Sequence, residues 1–234
     1  MHDVTEREKK AKTMVAVLED YYGDELKNKS VLNVGGSAGI IDNLLSQHVS
    51  HVTGIDIDKG AIATAKKSYA RENLVFKVGD ALNIEFADSS FDVVVCSQVY
   101  EHVPDAGKMM AEIYRVLKPS GVCYFAAGNR LSWREPHHKL PLLSVIPRPF
   151  AHIYMRLSGK GQFYYEKHLS VWGLRSLTSK FRCIDYTVRM IESSVKFKVD
   201  YMLRPEAITT VIAKIVGKYF YWAVPGYIWL LVKE

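Results

Sequence analysis

The chain has 234 residues, about the size of one large domain, and 48% of them are hydrophobic against 24% charged, an ordinary balance for a globular protein. No uncharged run reaches membrane-spanning length, because Lys214 and Lys218 interrupt the most apolar stretch. The net charge of +6 is unevenly spread: residues 1–127 carry 14 Lys/Arg against 18 Asp/Glu, and residues 128–234 carry 17 against 7. A basic half of this kind can favour nucleic acid, anionic lipid or a phosphorylated substrate, or can simply be a solvated surface.

Thr5 to about Tyr22 has Met14, Val15, Leu18 and Tyr22 near helical spacing and reads as an N-terminal helix. The stretch Met1–Lys12 is charged and lacks an apolar core, so it is not read as a signal peptide, and a cytoplasmic location is expected. Val31–Val34 is a short buried strand that breaks into the glycine turn Gly35-Gly36-Ser37-Ala38-Gly39, and a helix starts at Ile40. Val52–Ile55 is the second strand, Lys59–Arg71 a helix, Leu74–Val78 the third strand and Phe91–Cys96 the fourth. Ala106–Leu117 is a helix closed by Lys118-Pro119-Ser120-Gly121, and Val122–Ala126 is the fifth strand. This alternation predicts an α/β fold with a mostly parallel sheet covered by helices on both faces.

The texture then changes. Residues 128–162 hold four of the eight prolines together with Trp133, His137, His138, His152 and Tyr154, which reads as a long functional loop or lid inserted on the substrate side. Leu169–Lys180 resumes as a helix, Cys183–Met190 as a strand, Pro205–Tyr221 as a helix and Tyr227–Val232 as a last strand. Nothing in the sequence demands a second domain. Cys96, Cys123 and Cys183 lie far apart, which favours buried thiols in a reducing compartment over a disulfide framework or a zinc site.

Three signals fall at successive strand ends: the glycine turn, Asp56 after the second strand, and Gly79-Asp80-Ala81 after the third. They describe a nucleoside crevice, in which glycines let a ligand approach the backbone and a carboxylate grips ribose hydroxyls. The turn fits the Gly-x-Gly-x-x-Gly spacing of nicotinamide dinucleotide sites poorly. The run Phe91-Asp92-Val93-Val94-Val95-Cys96-Ser97-Gln98-Val99-Tyr100-Glu101-His102-Val103 and the turn Val116-Leu117-Lys118-Pro119-Ser120-Gly121 complete the pattern. Through these residues the chain resembles the class I S-adenosylmethionine-dependent methyltransferases.

That resemblance implies a Rossmann-like seven-stranded sheet of order 3-2-1-4-5-7-6 with the last strand antiparallel, and S-adenosyl-L-methionine as cofactor. It assigns Gly35, Gly36, Ser37 and Gly39 to the methionine end of the cofactor, Asp56 to ribose, Ile57 to the adenine face, and Asp80 and Ala81 to the adenine edge. Asn33 and Ser97 complete the implied cofactor set. The chain has Asn33 where the family usually has an acid, and Ser37 where it usually has glycine; Ser37 suits the turn provided that it needs no positive φ. Glu101 and His102, just after the fourth strand, and His137 and His138, in the insertion, are the candidate acid–base groups. Some relatives hold a metal with Glu-x-x-Glu-His at this place. Gln98 removes one of those carboxylates, so no metal is expected.

The acceptor is read from texture. Arg134-Glu135-Pro136-His137-His138-Lys139-Leu140-Pro141 resembles methyltransferases found with polysaccharide and glycolipid assembly, so O-methylation of a sugar hydroxyl, as on a lipid-linked glycan, is the main expectation. A quinone or other prenylated aromatic acceptor is the alternative, and a non-catalytic binding protein of methyltransferase fold is the third reading. The apolar segments 140–150 and 219–229, with aromatic residues beside Lys and Arg, suit either a substrate cap or a membrane interface. No nucleic-acid module is recognisable, so a small-molecule or lipid-linked substrate is the expected partner.

Overall fold

The computed structural model describes residues 4–234; Met1–Asp3 of the charged N-terminal stretch lie outside them. Helix α1 (Val4–Tyr22) packs through Met14, Val15 and Leu18, leads into a short 3-10 turn, and delivers the chain to β1 (Ser30–Val34). The elements that follow are α2 (Ile40–Leu45), β2 (His51–Asp56), α3 (Lys59–Ser68), β3 (Leu74–Val78), β4 (Phe91–Ser97), α4 (Ala106–Val116) and β5 (Leu117–Gly128). The sheet is completed by β6 (Arg182–Asp185) and β7 (Gly226–Val232), and helices α5 (Arg148–Leu157), α6 (Val171–Leu177), α7 (Thr187–Glu192) and α8 (Ile208–Tyr219) lie between β5 and β7.

The seven strands run in the order β3-β2-β1-β4-β5-β7-β6, and β7 is antiparallel to both β5 and β6. This is the order that the motif resemblance implies. Strand β4 is central because its residues tolerate no water: Val93 to Cys96 are fully buried between two apolar layers. One layer gathers α1, α2 and α7 around Met14, Tyr124 and Met190; the other gathers α4 and α6 around Met109, Ile113 and Trp229. Helix α4 starts on Asp105, whose carboxylate accepts the Lys108 N–H, and α3 starts on Asp58, which accepts from Gly60 and Ala61.

Four local expectations change. The Lys118–Gly121 turn is folded into β5, with Ser120 left-handed and the register to β4 shifting between Phe91 and Val93. The predicted strand Cys183–Met190 is a strand only to Asp185; the Asp185 carboxylate then accepts the Thr187 N–H and starts α7. The insertion contains a helix, α5, with its own small core of Leu140, Leu143, Ala151, Met155 and Tyr164. Ser37 sits at φ +51°, so the turn does require a left-handed residue there, which serine adopts at some cost.

Candidate functional site: a cofactor crevice beside a histidine cluster

Parallel strands point their carboxyl ends the same way, so the ends of β1, β2, β3 and β4 form one edge, where ligands bind in open α/β sheets. The glycine turn after β1 is held to β2 twice. Gly35 and Gly36 both donate their N–H to the Ile55 carbonyl, and Ser37 N–H donates to Asp56 Oδ2 at 2.8 Å. Gly39, at φ +78°, caps α2; a Cβ there would lie 2.6 Å from the Phe76 ring.

Asp56 is half-buried at the end of β2, and its Oδ1 accepts the Asp58 N–H. Each oxygen therefore keeps a lone pair for a ligand hydroxyl. Ile57 beside it is 72% exposed, an apolar face with nothing on it. Asp80 is exposed after β3, where its Oδ1 accepts from Leu82, and Ala81 is half-buried. Gly35 is open to solvent, Gly36 is buried, and Ser97 is half-buried at the end of β4. Asn33 differs: it is buried under the turn, and its Nδ2 has no hydrogen-bond partner among the described residues. Its Nδ2 lies 3.3 Å from where a Cβ on Gly36 would sit, directly against the turn.

Asp42 is a residue that the motif reading missed. It lies in the first turn of α2, fully buried, with neither oxygen in a well-formed hydrogen bond among the described residues. Its carboxylate fills the space that a side chain at Gly36 or Gly54 would take. Burial pushes its pKa up to about 7; the Asn33 amide and Arg7 pull the other way, and the Asp56 charge adds to the rise. No local periodicity could reveal this, because the sequence shows only an acid at a helix start.

The acid–base candidates come together on the exit from β4. Tyr100 OH donates to the Gly128 carbonyl and accepts from Leu169 N–H, which ties that exit to the end of β5 and to the return leg of the insertion. Glu101 is buried, with Oε1 3.4 Å from His137 Nε2 and Oε2 without a partner among the described residues. The His102 ring meets the His137 ring edge-on at 4.8 Å, and His137 stacks on His168 at 5.6 Å. Behind them His168 and Glu135, both fully buried, pair at 3.1 Å. His138 turns away from this group to face Glu166 at 3.3 Å.

The two neighbouring imidazoles are pushed in opposite directions. The Glu101 carboxylate holds His137 above the ordinary histidine value, against the burial that opposes it. Desolvation pulls His102 below that value, although Glu101 draws it back and part of its surface is open to solvent. Pairs of titratable groups pushed apart in this way are a common arrangement for acid–base chemistry. The ligating atoms of Glu101, His102 and His137 also lie within 4.8 Å of one another, as do those of Glu135, His137 and His168. These are the described residues that could hold a divalent cation.

Next to the crevice lies a cavity of about 380 Å³, bordered by Ser97 and Gln98 and lined mainly by apolar and aromatic groups such as Tyr124, Met190, Tyr201 and Val216. Its lining includes Lys10 and Thr13 of α1 but no Asp or Glu, and the histidine cluster is not part of it. Sequence reasoning did not foresee it, because its walls come from α1, β5, α7, α8 and β7.

Comparison with known proteins agrees with this geometry. Residues 32–125 match the model of a methyltransferase domain family. The chain is 29% identical over 163 residues to a ubiquinone biosynthesis O-methyltransferase of Coxiella burnetii (strain Dugway 5J108-111), covering 65% of this chain and 66% of that one. It is 34% identical over 109 residues to a protein of the same name from Pseudomonas entomophila, covering 45% and 47%. The matched segments thus span from about half to just under two-thirds of these relatives' length. Among solved structures, a SAM-dependent methyltransferase from Methanosarcina mazei superposes with a TM-score of 0.59 at 19% identity, covering 93% of this chain and 96% of that one. A [4+2]-cyclase, SpnF, superposes at 0.55 and 18% identity, covering 95% and 80%, so the fold alone does not fix the reaction. With the motif-bearing strand ends, the strand order and the methyltransferase-domain match over residues 32–125 in place, the chain has the class I methyltransferase fold and carries a segment similar to S-adenosylmethionine-dependent methyltransferases.

Proposed function

We propose that the chain methylates a hydroxyl on an aromatic acceptor with an apolar tail, of the quinone or other prenylated class. The observation that carries this is the 380 Å³ apolar cavity beside Ser97 and Gln98. A sugar acceptor needs polar partners for many hydroxyls, and this cavity offers no carboxylate. The names of the relatives point the same way. The sugar-hydroxyl reading drawn from the insertion therefore gives way to the quinone alternative.

S-adenosylmethionine, when bound, supplies a methyl group already activated for displacement. The residues that would hold it fit: Gly35 and Gly36 leave room for close approach, Asp56 keeps free lone pairs, and Ile57 offers an open apolar face. What remains for the protein is to seat the acceptor, exclude water and remove the hydroxyl proton. His102 takes that proton on its neutral imidazole. Glu101 raises the proton affinity of the neighbouring His137, whose protonated form would favour negative charge on the acceptor oxygen. Glu135 and His168 form the buried floor under His137 and fix its ring.

The test is release of S-adenosylhomocysteine against prenylated catechols, glycans and RNA. Turnover on the prenylated catechol is expected, and His102→Gln should lower kcat by roughly 10²-fold or more with cofactor affinity unchanged. Turnover on glycan alone, or binding of cofactor without turnover on any acceptor, would overturn the proposal.

A further inference from the structure

Two helices on the acceptor side are built inside out. Helix α5 turns small or unbranched residues, Ala151 and Met155, inward, and it shows Phe150, Ile153 and Leu157 to solvent, spaced for a single stripe. Leu157 is 83% exposed. Helix α8 does the same. Thr210 and Gly217 are its buried residues, and Gly217 lets it lie close against Ile191 of α7. Its outer face shows Ile208, Val211, Ile212 and Ile215, with Tyr219 and Phe220 exposed at its end. An isolated exposed apolar residue needs no account, but two stripes of branched apolar residues at helical spacing do.

The charges around these stripes have one sign. Between Glu135 and Glu166 there is no Asp or Glu, while Lys139, Arg148, Arg156 and Lys160 are present; between Glu206 and Glu234 there is none either, while Lys214, Lys218 and Lys233 are present. Exposed aromatic rings, Trp133, Tyr165 and Trp222, lie in or beside the same two segments. Both segments are rooted at one corner of the sheet. There Gly128, the last residue of β5, pairs with Gly226, the first of β7, and Asn129 Nδ2 donates to the Trp222 and Val224 carbonyls. Protein interfaces are depleted in lysine, whereas lysines fringe both of these stripes. Glu192 and Glu206 lie near the start of α8, but the segments that carry the stripes hold only cations, and with rings of mixed polarity nearby they match the acyl–headgroup boundary of an anionic bilayer.

We propose that α5 and α8 form a docking surface for an anionic lipid bilayer, with Phe150, Ile153, Leu157, Val211, Ile212 and Ile215 entering the acyl boundary and Arg156, Lys160, Lys214 and Lys218 meeting phosphates. The surface stands on exposure and charge, whichever acceptor is methylated. Among the described residues no helix is long and apolar enough to cross a membrane, so attachment is peripheral.

The test is co-sedimentation of the full chain with vesicles of phosphatidylcholine alone and with vesicles in which about three in ten lipids are phosphatidylglycerol. Binding about tenfold tighter to the anionic vesicles is expected, weakening as salt is raised. Leu157→Glu and Ile212→Glu should each weaken it by about tenfold or more, while cofactor affinity by calorimetry and the circular dichroism spectrum stay as in the unaltered chain. The proposal is overturned if the chain does not sediment with anionic vesicles, or binds both kinds equally. It is also overturned if the glutamate variants bind as well as the unaltered chain, or if sedimentation shows the stripes buried in a dimer that these variants dissociate.

Discussion

Replacing Asp42 by asparagine should make the protein more stable above neutral pH. The carboxylate is fully buried, and the Asn33 amide beside its oxygens offsets only part of that burial. Burial raises its pKa from the ordinary 3.8 to about 7. The folded state therefore keeps a proton that the unfolded chain releases above about pH 4. The group costs nothing below that pH, the cost grows as the pH rises, and it levels off above about 7. The gap between the two values corresponds to at most about 4 kcal/mol of native stability lost by pH 8. Asparagine keeps the shape and removes the charge but leaves an amide to satisfy, at about 1–3 kcal/mol, so a net gain of about 1–3 kcal/mol at pH 8 is expected. The measurement is urea unfolding of both proteins at pH 5 and pH 8. Comparing the two proteins cancels the opposite contributions of Asp20, Asp92, Glu112 and Glu135, whose partners hold their pKa values down. If the difference between variant and parent is the same at both pH values, the carboxylate is not buried as described. Because Asp42 lies under the turn that would hold a cationic cofactor, the same variant should bind that cofactor more weakly at pH 8. That pattern is the one expected where stability is given up for a binding site.

Further outcomes follow from the same geometry. Asp56→Ala should weaken S-adenosylmethionine binding by more than about tenfold in calorimetry, since it removes the carboxylate proposed to accept the ribose hydroxyls and the bond from Ser37 N–H; unchanged affinity would mean that the cofactor does not lie against this strand end. Gly54→Ala should cost about 1–3 kcal/mol in urea unfolding, because its Cβ would sit 2.6 Å from Asp42 Oδ1 and 3.0 Å from Phe76. Glu135→Ala should cost about 1–3 kcal/mol by leaving the buried His168 ring and the His138 N–H without their acceptor, and a negligible loss would show that the pair is wet. With His102 depressed by desolvation, the acid limb of kcat against pH should fall below the ordinary histidine value of about 6.5, and His102→Gln should abolish that limb. Dialysis against a chelator should leave turnover unchanged, because Gln98 stands where some relatives have a carboxylate. Loss of turnover restored by zinc would instead make Glu101, His102 and His137 a metal site.

The cofactor side was legible because its spacing maps directly onto space. Each strand of a parallel sheet ends at the same edge, so Gly35, Asp56 and Asp80 could be placed side by side from sequence order alone. The acceptor side has no such rule. Asn129 is fully buried because it serves carbonyls at Trp222 and Val224, and Glu135 because it meets His168, 33 positions away. Buried polar residues chosen by distant partners leave no local trace. Helix α5 escaped notice for a different reason. Prolines marked its segment as a loop, yet Pro149 sits in the first turn, where a missing N–H costs nothing, and the helix then runs to Leu157. Its apolar stripe faces outward, so periodicity that would normally announce a core carries information about a surface. The same inversion in α8 made it easy to read as a helix but silent about what it covers. The residues proposed to bind the cofactor are thus ordered by the sheet, whereas those proposed to meet the acceptor come from the insertion and the C-terminal helices, whose placement depends on contacts between segments far apart in the chain.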